Sequence, residues 1–116
     1  MWASVSDARI KQNIVSISNA SDVFKKINPV TFNYTQEYLD AEKISKQDVT
    51  HYGFIAQEIE QVVPSCVYQT GDTIGEFEDL KAVNLSDLQV YAFAAIKELV
   101  LKVEALEAQI LVLQSR

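Results

Sequence analysis

Residues 86–116 contain neither glycine nor proline, and their apolar side chains fall into heptads. Ile96, Val103 and Ile110 occupy position a; Leu99, Leu106 and Leu113 occupy position d. This spacing predicts one long helix with an apolar seam. Ser86 is the expected N-cap, with Asn84 as the alternative. Such a helix extends about 45 Å at roughly 1.5 Å per residue. Across residues 96–113, 12 of the 18 residues are apolar. A two-stranded seam needs about 2 in 7, and a helix facing one core about 3 in 7. The surplus, Val100, Leu101, Ala105, Ala108, Leu111 and Val112, makes the face broad, and the remaining 85 residues offer little surface to cover it. Self-association is therefore expected. Ile or Val at a with Leu at d favours two strands, whereas the breadth of the face favours three. Lys102 at g can reach Glu107 at e of a parallel neighbour.

Residues 1–85 mix turn signals with short apolar runs and predict a small α+β head. A short helix starts near Ser21 or Asp22, turns Val23, Phe24 and Ile27 inward, and stops at Asn28-Pro29. Residues 30–34 alternate and read as a strand. The polar stretch 35–50 reads as a loop with one helical turn, anchored by Tyr38, Leu39 and Ile44. A buried strand over 52–56, a helix over 57–63 stopped by Pro64, and strands at 66–68, 75–78 and 80–83 complete the head. The expected core is Ile14, Ile17, Val23, Phe24, Ile27, Phe32, Tyr34, Phe54, Ile55, Val63, Val67 and Val83.

Charge and composition exclude several functions. The net charge of −6 argues against binding nucleic acid or an anionic membrane, which needs excess Lys and Arg. No apolar run reaches the ~18 residues of a membrane span, and no basic-then-apolar leader opens the chain. Cys66 is the single cysteine and His51 the single histidine, so neither an intrachain disulfide nor an ordinary zinc site is expected. Cys66 reads as a small core residue, and no cofactor is implied. The cysteine usage fits a reducing cytoplasm.

Chemistry is concentrated in Ser6-Asp7-Ala8-Arg9-Ile10-Lys11. A serine attacks a carbonyl only when a base takes its proton, and a neutral lysine can do so. An ordinary lysine has a pKa near ~10.4, so burial or a neighbouring cation must destabilise its ammonium. Arg9 is such a cation by position. Spaced five apart, Ser6 and Lys11 would sit on different faces of a helix, so a turn has to bring them together.

Four stretches, in order, carry a family resemblance: Ser6-Asp7-Ala8-Arg9-Ile10-Lys11-Gln12-Asn13-Ile14, Ile27-Asn28-Pro29-Val30-Thr31-Phe32-Asn33-Tyr34, Tyr52-Gly53-Phe54-Ile55-Ala56-Gln57-Glu58 and Ala95-Ile96-Lys97-Glu98-Leu99. Together they resemble the self-cleaving intramolecular chaperones at the C-termini of phage endosialidases, tail fibres and tail spikes. The resemblance implies a homotrimer that folds an upstream fibre of the same chain and then releases itself. It implies that Ser6 is the nucleophile, Lys11 its general base, and Ser6–Asp7 the bond cut. Attack by Ser6 on its own carbonyl would close a four-membered ring, so the Val5 carbonyl or a second protomer enters as an alternative. Asp7, Asn13, His51, Gly53, Gln57 and Glu58 are the possible supporting residues. Ile96, Leu99, Val103, Leu106, Ile110 and Leu113 become the trimer interface. On this reading residues 1–5 are a remnant of the fibre, 6–85 the processing head and 86–116 a coiled-coil helix. The chain would work in the host cytoplasm during virion assembly, with its parent ending in the tail. A non-cleaving trimerisation foot or a receptor-binding tip is the competing function.

Overall fold

The structure is a computed structural model that describes residues 3–43 and 49–116. Ile44, expected as an anchor, lies outside the described residues, as do Met1 and Trp2. Four helices and four strands are described: α1 (Ala20–Phe24), β1 (Val30–Phe32), α2 (Gln36–Ala41), β2 (His51–Gly53), α3 (Ala56–Val62), β3 (Val67–Gln69), β4 (Lys81–Val83) and α4 (Leu85–Gln114). The molecule is a mixed helix-and-strand head on a long C-terminal helix, as expected.

The core forms where the first turns of α4 meet α3. Ile59, Val63, Cys66 and Leu88 are buried together. Val23, Phe24, Ile27, Phe54, Val67, Val83 and Tyr91 pack around them. Pro64 supplies the turn that makes this possible. It ends α3 and opens a single 3-10 turn, Pro64–Cys66, that drops Cys66 into the core. Burial then pushes the Cys66 thiol pKa up, with Asp87 adding to the effect, so the thiol stays protonated and inert.

Two antiparallel two-stranded sheets flank this core. In one, Val30 faces Gly53, Thr31 faces Tyr52 and Phe32 faces His51. In the other, Val67 faces Val83 and Gln69 faces Lys81. Lys81 Nζ reaches Glu60 Oε1 at 2.7 Å and ties that sheet to α3. Asn84 caps α4, its side chain accepting from the Asp87 amide at 3.1 Å, so the helix starts from the alternative cap and not from Ser86.

Several local expectations change. The strand expected at 75–78 is a tight turn closed by the Ile74–Phe77 bridge. Gly75 sits there at φ +62°, a left-handed conformation that breaks an extended run. The expected buried strand at 52–56 pairs only through Gly53, and Tyr52 is 82% exposed. Ile14, Ile17, Tyr34 and Ile55 are exposed, outside the expected core. All residues from 3 to 19 are exposed, because the arm lies outside the core that α3 and the first turns of α4 enclose. Ile59, Leu88 and Tyr91 take the vacant core positions. Residues 35–50 contain α2, capped by the Thr35 hydroxyl accepting from the Tyr38 amide at 3.2 Å.

Past Glu98, no described residue buries a side chain of α4. All residues from 99 to 116 are exposed. The accessible surface is 9792 Å². A compact monomer of 13.0 kDa exposes about 6,300 Å². The radius of gyration is 20.2 Å, against about 13 Å for a compact chain of this length.

Ile59 is 1% exposed, at the centre of the core. Truncating Ile59→Ala removes three carbons from a packed site and should cost about 2–5 kcal/mol. Urea denaturation at one fixed protein concentration checks this. A midpoint unchanged from the parent chain would place the core elsewhere.

Candidate functional site

The arm that precedes α1 contains one ordered device. Ala8–Ile10 forms a single 3-10 turn between two extended residues, Asp7 and Lys11. Asp7 organises it. Its carboxylate accepts from the Arg9 amide at 2.9 Å, and from Arg9 Nε and Nη2 at 3.0 and 2.9 Å. The Arg9 guanidinium therefore holds the Asp7 carboxyl below its usual range, and Asp7 raises Arg9 in turn.

Closing this turn brings the flanking side chains together. Lys11 Nζ donates to Ser6 Oγ at 2.6 Å. The turn demanded by their spacing is thus this one, three residues long. Both side chains are exposed. The expectation that Arg9 acts electrostatically on Lys11 changes, because the Asp7 carboxylate offsets the Arg9 charge at 2.9 Å.

The other residues singled out from the sequence lie elsewhere. Asn13 follows Lys11 in the arm with a left-handed φ of 55°. His51 lies on β2, stacked on Phe32 at 5.4 Å and close to Tyr34 at 4.7 Å. Gly53 pairs with Val30, and a Cβ there would make an ordinary contact with Phe32 Cε1 at 3.4 Å. Gln57 and Glu58 occupy the first turn of α3, both exposed, and Glu58 suits the positive end of that helix. Gly53 and Gln57 line an open groove of about 470 Å³ with Phe32, Tyr34 and Tyr52; Ser6 and Lys11 are not on its walls.

Sequence reasoning gave Glu98 no role, although it stands in the last of the four family-like stretches. Helix α1 begins after Asn19, whose φ of 58° is left-handed and whose side chain makes no capping bond. The cap comes from α4 instead. Glu98 accepts from the Ala20 amide at 2.6 Å, the Ser21 amide at 3.2 Å and the Ser21 hydroxyl at 2.8 Å. This replaces the expected caps, Ser21 and Asp22. Ala20 and Ala95, both buried, let the two helices approach. A heptad reading places Glu98 on the solvent side of the seam, so periodicity carried no signal for it. The Ala20 amide, then the Ser21 hydroxyl, hold the Glu98 carboxyl below its ordinary 4.5.

With this geometry in place, the class of the protein follows from comparison. Residues 6–68 match the family described as "Chaperone of endosialidase", a span that runs from the Ser6 turn through the first residues of β3. The chain belongs to this family. It is similar to the long tail fibre protein Gp37 of Enterobacteria phage K3, at 33% identity over 91% of this chain and 8% of the relative. The Gp37 of Enterobacteria phage T2 matches at 33% over 91% of this chain and 7% of the relative. An uncharacterised protein VP1 of a Micromonas pusilla reovirus is 41% identical over 68% of this chain and 4% of the relative. The chain spans less than a tenth of the length of these relatives.

The lowered pKa of Glu98 fixes the sign of a pH dependence. A carboxylate stabilised in the fold contributes above its ordinary 4.5, and the contribution fades as pH falls through the folded value. The Ala20 and Ser21 amide resonances should hold steady from neutral pH to about pH 5 and move below it. Glu98→Gln should abolish that movement. An acid transition of equal size in the Gln variant would assign it to another group.

Proposed function

We propose that this chain is the intramolecular chaperone of a phage tail fibre or spike, which trimerises through α4 and then cuts itself free. The observation that carries the catalytic half is the 2.6 Å approach of Lys11 Nζ to Ser6 Oγ, built by a local turn. The broad unburied face of α4 supports the assembly half. Family membership supports both, and the tail fibre relatives support the choice of client.

The reaction needs a free amine. The Lys11 amine takes the Ser6 hydroxyl proton as Oγ adds to a peptide carbonyl, and it returns that proton to the departing amide nitrogen. The acyl-serine ester formed then adds water and leaves a carboxylate. Burial favours an uncharged lysine. Both side chains are exposed in the single chain, and Arg9 is engaged by Asp7. Assembly of three protomers is thus our source of the burial, which makes cutting wait for folding. Release is then irreversible, and the fibre is left kinetically trapped.

The bond we assign is Ser6–Asp7. Within one chain its scission by Ser6 would close a four-membered ring, whereas the hydroxyl of a second protomer meets that carbonyl without strain. Attack on the Val5 carbonyl forms a five-membered ring and breaks Val5–Ser6 instead. The first residue of the released fragment, Asp7 or Ser6, therefore identifies the route. The heptad residues Ile96, Leu99, Val103, Leu106, Ile110 and Leu113 form the seam on this reading.

Two measurements test the proposal. On a denaturing gel, a precursor carrying the fibre ahead of residue 1 should yield two fragments, and Ser6→Ala or Lys11→Ala should stay whole. Whole precursor in all three lanes would leave a non-cleaving foot, and identical fragments in all three would remove Ser6 and Lys11 from the cut. In light scattering the chain should have three times the mass of one copy, and Leu106→Asp should reduce it to a single copy. A monomeric chain that still cuts would refute assembly-gated cleavage.

A further inference from the structure

We infer that Glu98 is a positioning residue for the Ser6–Lys11 pair, linking the assembly seam of α4 to the cleavage site. This inference rests on the self-cleavage reading above and assigns a residue to its control.

The arm over residues 3–19 is exposed throughout, and Ala20 is the first buried residue after it. The arm's placement therefore depends on the joint where it enters α1. One carboxylate holds that joint. Glu98 accepts three hydrogen bonds there, from two backbone amides and one hydroxyl, across 77 and 78 residues of sequence. Hydrogen bonds to an ionised acceptor are the strong ones, and unpaired amides at a packed joint are costly. Asn19 offers no side-chain substitute.

The location of Glu98 gives the joint its second connection. It stands between Ile96 and Leu99, two residues of the seam, on one turn of α4. Ahead of the joint, residues 15–19 run beside α4 and enclose with it an open groove of about 700 Å³, whose walls include Val15, Ile17, Val90, Phe93 and Leu101. Phe93 is 72% exposed. A neighbouring helix that closes on Ile96 and Leu99 fixes the turn that bears Glu98. That turn in turn fixes the start of α1 and the root of the arm. Lys97 also lines the groove, so the wall behind the arm and the seam are built from consecutive residues of one helix.

The test uses the full precursor and reads two quantities, trimer mass and the first-order rate of cutting. Wild type must cut; an uncut wild type overturns the self-cleavage reading and this inference with it. Glu98→Ala should remain trimeric, cut at least about tenfold more slowly, the equivalent of one charge-assisted hydrogen bond, and expose the Ala20 and Ser21 amides to faster hydrogen exchange. Glu98→Gln keeps an acceptor oxygen and should recover part of the rate, which a general loss of packing would not explain. Ser21→Ala removes only the hydroxyl donor and should slow cutting by a smaller factor. If Glu98→Ala is trimeric and cuts at the wild-type rate, the inference is wrong while self-cleavage stands. If Glu98→Ala fails to trimerise, Ser21→Ala decides: a trimer that cuts at the wild-type rate overturns the inference, and a slowed trimer upholds it.

Discussion

A helix of 30 residues can bury its side chains only as far as the rest of its chain reaches. In this protein that reach ends near Ala95. The first turns of α4 supply Leu88 and Tyr91 to the core and a partner for α1. The remaining turns carry leucine, valine and isoleucine into water. The surplus accessible area over a compact monomer, about 3,500 Å², exceeds the roughly 1,600 Å² of a standard interface. The exposed side chains there include Leu99, Val103, Leu106 and Ile110, and removing apolar surface from water favours association. The head and, through α1, the arm are mounted on this helix, so on the proposed reading its partners would govern them.

The Ser6 turn shows the opposite economy. It is made locally, by a carboxylate that caps a 3-10 turn and pairs with the arginine inside it. Nothing distant is required to bring the hydroxyl and the amine within 2.6 Å. Proximity alone does not make a nucleophile, because an ammonium accepts no proton. The approach of the two side chains is therefore written into six consecutive residues, while the dry surroundings that the proposed reaction needs would come from elsewhere. Under the proposed function, this separation would keep the cut from preceding assembly.

The comparisons follow the same division. The family match covers residues 6–68, the arm and most of the head, and stops before α4. The tail fibre relatives extend the likeness over 91% of the chain. The family match thus spans the turn and its supporting head, and the longer alignments extend into the helix.

The long helix was legible in the sequence because heptads and the absence of Gly and Pro depend only on local order. Local rules also placed β1, α3 and the need for a turn between Ser6 and Lys11. The strand expected at 75–78 failed because Gly75 takes a left-handed φ, a choice set by the closing Ile74–Phe77 bridge. Ile14 and Ile17 look like core by composition, and the tertiary structure leaves the whole arm outside. Cys66, Ile59 and Leu88 meet only once Pro64 has turned the chain back on α4. Glu98 is the clearest case. Its sequence neighbours mark a solvent-facing position, and its three partners lie more than seventy residues away. Periodicity reports which face a residue occupies. Only the folded chain decides what that face touches.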